Sequence, residues 1–427
     1  MTLTLATYSM ISGAPVNVLD YGAVGDGVAD DTAAIQDAID YAHSLPNGGL
    51  VWFNGTFAIS DTLTIGANVH LCGTATIKQT ASNTPIIKVN KDALNSRWSI
   101  SDLTLEYATQ QTASDTDARA LVLSEADKLS FLFNVENVNI RKACKGIDAP
   151  EETGAFAFLA TFKNVLLDNC ADWAFDWRNS VTGGSTFLSM ENVWALQTSG
   201  SEIATSKGFR IVRCGSLAIN SIACDHIQNS PVYFETCFGS VGVIAIESCE
   251  LTASGGGANL VEISGGSVDI QFLGLEGNTT TISGSAYGGI LRTSDAATVN
   301  IGVMRDNSNQ VIDTSSDSYF TVVPASNSGD IYVNEYFYVA AGSNPAPNGS
   351  LYESGQPFQI RVFDGNVRRD VRGGKQHIYD TAPPVSGTWA VGDITWNIVP
   401  TAGGNIGWVC TTAGTPGTWK TFGAIAP

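Results

Sequence analysis

Asp225, Glu247, Glu250 and Glu276 are the residues whose types and spacing could do chemistry. Each stands at the end of a short apolar run, or just past one, so stacking those runs would gather carboxylates on one strip. Two carboxyls facing each other across a sugar bond hydrolyse it by general acid/base catalysis. Inverting glycosidases hold them about 6.5–9.5 Å apart, and retaining ones about 5–5.5 Å. Crowded carboxyls also push one another's pKa values apart, which supplies an acid and a base near neutral pH. His226 directly follows Asp225 and could tune it, or be a plain solvated histidine. Trp194, Trp177, Trp173 and Tyr233 offer flat faces for sugar rings. Arg210 and Arg292 can grip an acidic sugar through bidentate hydrogen bonds, or merely balance Asp176, Glu235 and Glu262. The competing reading is compositional: a chain with 41 Asp+Glu places several on any exposed face.

Other chemistries fail on inspection. No P-loop, dinucleotide fingerprint, GxSxG or HExxH is present. Metal-ligand spacing is absent among the eight cysteines, and hydrolysis by two carboxylates needs no cofactor. Cys144/Cys170, Cys214/Cys237 and Cys224/Cys249 recur at similar intervals, which predicts free buried thiols on neighbouring coils, with disulfides as the alternative. The net charge of −19 argues against nucleic acid and anionic membranes as partners. No apolar run approaches the ~18 residues needed to cross a bilayer. Residues 1–10 lack the pattern of a signal peptide, so a soluble protein is expected.

The elements that must position these residues repeat. Phe131–Ile140, Phe158–Leu167, Phe187–Leu196, Ser216–Asp225, Ser240–Cys249, Ser267–Glu276 and Thr298–Arg305 each begin with alternating apolar residues. A shorter apolar strand lies between successive runs. A period of about 20–30 residues with two or three short strands is the signature of a solenoid. Aligning Val138, Val165, Val193, Ile222, Ile246, Leu273 and Val303 as inward residues gives an outward column. That column reads Arg141, Asp168, Leu196, Asp225, Cys249 beside Glu250, Glu276 and Asp306. In this alignment Asp225 and Glu247 sit one rung and two residues apart, about 8 Å. Asp225 and Glu276 lie about 10 Å apart. The second strand turns Asp148, Asp176, Arg210, Tyr233, Glu235, Glu262 and Arg292 outward.

The opening stretch, Asn17 to Ile39, runs from a short strand through a glycine-punctuated loop into an Asp-Asp-Thr cap and an amphipathic helix. Ile35, Ala38, Ile39 and Ala42 form one apolar stripe, with Asp30 or Asp31 as N-cap. This stretch closely resembles the opening of the pectate-lyase-like right-handed parallel β-helices, where the helix plugs the N-terminal end of the solenoid. The last fifty residues, with Gly387-Thr-Trp-Ala-Val-Gly-Asp393 and the run Gly407 to Lys420, resemble the C-terminal module of bacteriophage tailspike depolymerases. That module reads as a cap and trimer clamp, or as a sugar-binding unit through Trp389, Trp408 and Trp419. Residues 326–378 read as irregular antiparallel strands.

The expected organisation is all-β. Residues 1–15 connect, 16–45 cap, 46–325 form the β-helix and 326–427 form a C-terminal β region. The resemblance further implies a homotrimer in the phage virion, attached to the tail or baseplate through its N-terminus and acting on bacterial capsular or exopolysaccharide. Hydrolysis is the first expectation; lyase chemistry and non-cleaving adhesion are the alternatives.

Overall fold

In the computed structural model, the residues described are 14–180, 183–253, 257–282, 287–294, 297–307 and 377–427. To these are added, as strand backbone, 310–313, 322–324, 330–339, 352–353 and 356–357. Nearly every strand from Val16 to Val339 pairs in parallel with the equivalent strand one coil on. The result is a parallel β-helix.

The corners of each coil are set by residues in the left-handed region. Asn137, Asn164 and Asn192 have φ of 54°, 51° and 55° and break one continuous run into two faces. Most L-residues resist this conformation, whereas asparagine tolerates it and can hydrogen-bond locally. Here the amides hydrogen-bond to one another. Asn137 donates to Asp102 at 2.9 Å, Asn164 to Asn137 at 3.0 Å and Asn192 to Asn164 at 3.0 Å. The ladder runs along the solenoid axis and explains the repeated Glu/Lys-Asn-Val triplets. A second corner follows the outward strands at Lys142, Asn169, His226, Ser248 and Gly277, with φ between 52° and 63°.

Inside, Val138, Val165, Val193, Ile222, Ile244, Leu273 and Met304 stack in register. An aromatic series joins them: Phe162 meets Phe175 edge-on at 5.1 Å, and Phe175 meets Phe209 at 6.1 Å. All eight cysteines are free, and all but Cys72 are buried. Each expected neighbour pair is close enough for one thiolate to raise the pKa of the other, and burial is the larger cause of that rise.

The helix Thr32–Ser44 buries Ile35, Ala38, Ile39 and Ala42, and packs on the first strands of the stack. Gln36 docks it: its amide accepts from Thr64 N at 2.8 Å and donates to Thr64 O at 3.1 Å. Asp31 occupies the N-cap position, but its carboxylate accepts from Val24 and Gly25 N–H and so folds the preceding loop. Asp30 supplies the cap, accepting from Thr32 N at 3.0 Å.

Two boundaries differ from expectation. Parallel pairing starts within the segment assigned to the cap, at Val16 on Val51. At the other end Asp330–Val339 is not antiparallel; it pairs in parallel with Thr298–Asn307 as a further rung. Among the described residues there, the short Tyr352–Glu353 and Gln356–Pro357 pair is antiparallel, and the expected strand 358–363 lies outside the described residues. Residues 377–427 form a separate four-stranded sheet in which Trp389 and Trp419 meet edge-on at 5.3 Å.

The ladder predicts a difference between two substitutions. Asn164→Ala loses the amide bonds and forces alanine into the left-handed region, costing about 1–3 kcal/mol in urea denaturation. Asn164→Gly keeps the backbone relaxed and costs less than half as much. Equal losses would show that the corner conformation carries no strain.

Candidate functional site

Leu196, Asp225, Glu247, Glu276 and Asn307 are partners on five successive rungs. Three carboxylates therefore stand directly above one another, spaced by the rung repeat of about 4.8 Å. The diagonal offset read from the sequence is wrong by two residues. Ile222 partners Ile244, not Ile246, because this coil is shorter than its predecessors and both isoleucines point inward. A period of two leaves such a slip invisible to burial patterning. Leu273 partners Met304 rather than Val303, a slip of one residue, which moves Asp306 out of the column. Glu250 also leaves it: past the corner at Ser248, it opens the short strand Glu250–Ala253, stacked on Thr279–Ile282.

A second column lies two residues earlier on the same face: Trp194, Ala223, Ala245, Gly274 and Arg305. Small residues thus form the floor beside the acidic ladder, with Trp194 at one end and Arg305 at the other. Phe272 leans over the floor; a Cβ at Gly274 would lie 2.8 Å from its ring. The arrangement is a trough with an acidic wall, an aromatic end and a partly apolar opposite side along Val243, Phe272 and Val303. Asp225 is anchored by His226, whose Nδ1 lies 2.5 Å from its Oδ1. The His226 N–H donates to Glu247 O at 3.1 Å, tying that corner to the next rung. Preceding rungs carry the Arg141–Asp168 ion pair at 3.1 Å, and Leu196 then separates it from the ladder. Arg305 escaped the sequence reading because the slip at Val303 turned the neighbouring Met304 outward in the alignment.

The other strand set also forms the expected column: Asp148, Asp176, Arg210, Tyr233, Glu262 and Arg292. Two of its assignments need correction. Trp177 is fully buried, its indole N–H on Ser185 Oγ at 2.9 Å, so it is core and offers no sugar platform. Asp176 is 1% exposed and lies beneath a layer of cations, out of a ligand's reach. It accepts Nε and Nη2 of Arg210 at 2.7 and 2.6 Å, Nε of Arg178 at 3.0 Å and Nζ of Lys145 at 2.8 Å. Burial pushes the Asp176 pKa up, but the Arg210 hydrogen bonds and the surrounding positive charges outweigh it, and the carboxyl titrates below its usual range. Asp148, one rung earlier, goes the other way: burial raises it and the Lys145 and Arg119 charges offset only part.

Above this layer opens a cleft of about 320 Å³ lined by Glu151, Trp173, Arg178, Arg210, Val212, Arg213, Tyr233 and Glu235. Arg210 lies 4.9 Å from the Trp173 ring centre, and Tyr233 donates its hydroxyl to Glu235 at 2.8 Å. Arg292 pairs with Glu262 at 2.8 Å. Arg210→Ala would leave Asp176 buried without its main donor and should cost about 3–5 kcal/mol near neutral pH. In the parent, Asp176 contributes stability that is lost as pH falls through its depressed pKa. In the variant its pKa rises above the unfolded value of about 3.9, so acidification restores part of the loss. Denaturation midpoints across pH test this; a deficit that does not shrink on acidification would contradict it.

A family match at the N-terminal end agrees with this architecture. Residues 15–121 match the family described as rhamnogalacturonase A/epimerase, pectate lyase-like. Mannuronan C5-epimerase AlgE1 of Azotobacter vinelandii is 39% identical over 116 residues, 24% of this chain and 8% of that protein. The tail spike protein of Shigella phage Sf6 is 35% identical over 69 residues, 15% of this chain and 11% of that one. The A-module of A. vinelandii mannuronan C-5 epimerase AlgE4 aligns with a TM-score of 0.44 at 16% identity, covering 77% of this chain and 98% of the module. The chain thus spans a small fraction of the curated relatives it matches. It carries a pectate-lyase-like parallel β-helix and resembles a bacteriophage tail spike.

Proposed function

We propose that this chain is a phage tailspike that binds and depolymerises a bacterial surface polysaccharide, cutting a glycosidic bond with carboxylates of the ladder. The observation that carries the reading is the direct stacking of Asp225, Glu247 and Glu276 beside a small-residue floor. A sugar ring laid on Ala223, Ala245 and Gly274 would present its glycosidic oxygen to that wall. Adjacent rungs place Asp225 and Glu247 near the retaining separation of about 5–5.5 Å. One carboxyl then protonates the leaving oxygen while the other attacks the anomeric carbon, and water hydrolyses the glycosyl-enzyme. Glu276 supplies a third carboxyl one rung on, and Trp194 offers a stacking face at the trough's end.

The relatives support a carbohydrate role, since they include epimerases and an alginate lyase by name. Virion location, attachment through the N-terminus and assembly as a homotrimer belong to the same proposal and rest on the resemblance to tailspikes. One observation favours a second reading, β-elimination on a uronate-containing chain. Arg305 stands in register beside the acidic ladder, where its guanidinium would neutralise the uronate carboxylate and make the adjacent ring proton easier to remove.

Incubation with a panel of purified capsular polysaccharides, followed by mass spectrometry, separates these readings. Hydrolysis yields oligosaccharides of repeat-unit mass plus water, and Glu247→Gln or Asp225→Asn should lower the rate about 10²–10⁴-fold without changing the melting temperature. Products lighter by one water and absorbing in the ultraviolet, lost in Arg305→Ala, would make it a lyase. Binding with no product would make it an adhesin.

A further inference from the structure

The cleft on the second strand set has a chemistry distinct from the ladder's. Three guanidinium groups, Arg178, Arg210 and Arg213, converge on it in a chain with only 22 Lys+Arg against 41 Asp+Glu. Asp176, buried beneath, fixes two of them from below. Arg178 gives its Nε to Asp176, while among the described residues its two Nη groups make long contacts, 3.7 Å to Glu151 and 3.9 Å to Asp148. Arg210 places Nε and Nη2 on Asp176, leaving Nη1 outside that pair. Arg213 is the anchor of the wall: its Nη2 holds Glu151 at 2.7 Å and the carbonyls of Arg178 and Asn179 at 3.2 and 3.1 Å. The guanidinium donors of Arg178 and Arg210 that are not bound below are held rigidly at the surface of a cleft. Planar forks of this kind suit carboxylate, sulfate and phosphate groups. Val212 and Tyr233 supply an apolar surface beside them, and Glu151 and Glu235 can accept from hydroxyls.

We propose that this cleft is a subsite for a sugar ring carrying an anionic substituent, with the acid group on Arg178 and Arg210 and the ring against Val212 and Tyr233. It rests on the reading that the chain handles polysaccharide, and it assigns an acidic residue to the repeat of that polymer. Preorganisation is the reason for its strength: the buried acid has already ordered the arginines, so binding does not have to.

Saturation-transfer NMR with methyl glucuronoside, galactose 4-sulfate, glucose 6-phosphate and methyl glucoside tests this on the full chain. The acidic probes should bind and the neutral one should not, and binding should weaken as salt rises. Which acidic probe binds tightest identifies the anion. Arg178→Gln should weaken acid-sugar binding at least about tenfold, a loss of about 1.4 kcal/mol, and Arg178→Lys should restore part of it. Glu235→Gln removes negative charge from the facing wall and should tighten it, which keeps the test open if the Arg178 variants fold poorly. Equal binding of the neutral sugar, no binding of any acidic probe, or indifference to both Arg178→Gln and Glu235→Gln would overturn the proposal. Acid-sugar binding without cleavage of any polysaccharide would remove the enzymatic reading and leave this one standing. Cleavage without acid-sugar binding would do the reverse.

Discussion

The rung register constrains everything else in this molecule. In a parallel stack each residue has one neighbour above and one below at about 4.8 Å, so chemistry at a position depends on what the adjacent coils place there. Corners decide that register. The asparagine amides at 137, 164 and 192 hold the chain in a conformation most side chains resist, and their mutual hydrogen bonds reward keeping those coils aligned. Once they fix where each outward strand begins, Asp225 can face Glu247 only if the intervening coil has the right length.

The two outward faces solve the problem of charge differently. On one, carboxylates are stacked on one another beside small residues and half-exposed aromatics, with a cation at the end rather than within. On the other, carboxylates are sunk under arginines and lysines, and the charge that reaches the surface is cationic. Burying Asp176 is costly unless it is fully paired, and the paired geometry it imposes on Arg178 and Arg210 is a consequence of that cost. A polymer lying across both faces would meet an acidic trough and a basic cleft on one solenoid.

Much of the fold was legible in the sequence because its signals are periodic. The helix stripe of Ile35, Ala38, Ile39 and Ala42 is buried as expected, and the seven inward positions differ from the expected column only at Ile246 and Val303. The two misses differ in kind: Ile244 and Ile246 both point inward, so burial cannot choose between them, whereas Val303 and Met304 are one residue apart and only Met304 is buried. The first displaced Glu250 into the site, and the second hid Arg305. Asp176 and Trp177 were misread for another reason. Alternation tells which side of the strand a residue faces, but long arginine side chains folding over Asp176 are a tertiary event without a local signal. Trp177 shares the inward parity of Phe175, two residues earlier in the strand, and packs against Phe162 and Phe175.

The central claim is that directly stacked carboxylates on adjacent rungs perform the cleavage. Their separation governs stereochemistry, so the anomeric configuration of the first product formed is the most direct measurement. Proton NMR during the first minutes of digestion should show the new reducing end with the configuration of the bond that was cut. Initial appearance of the opposite anomer would mean a wider pair with water between, and would contradict the assignment of Asp225 and Glu247.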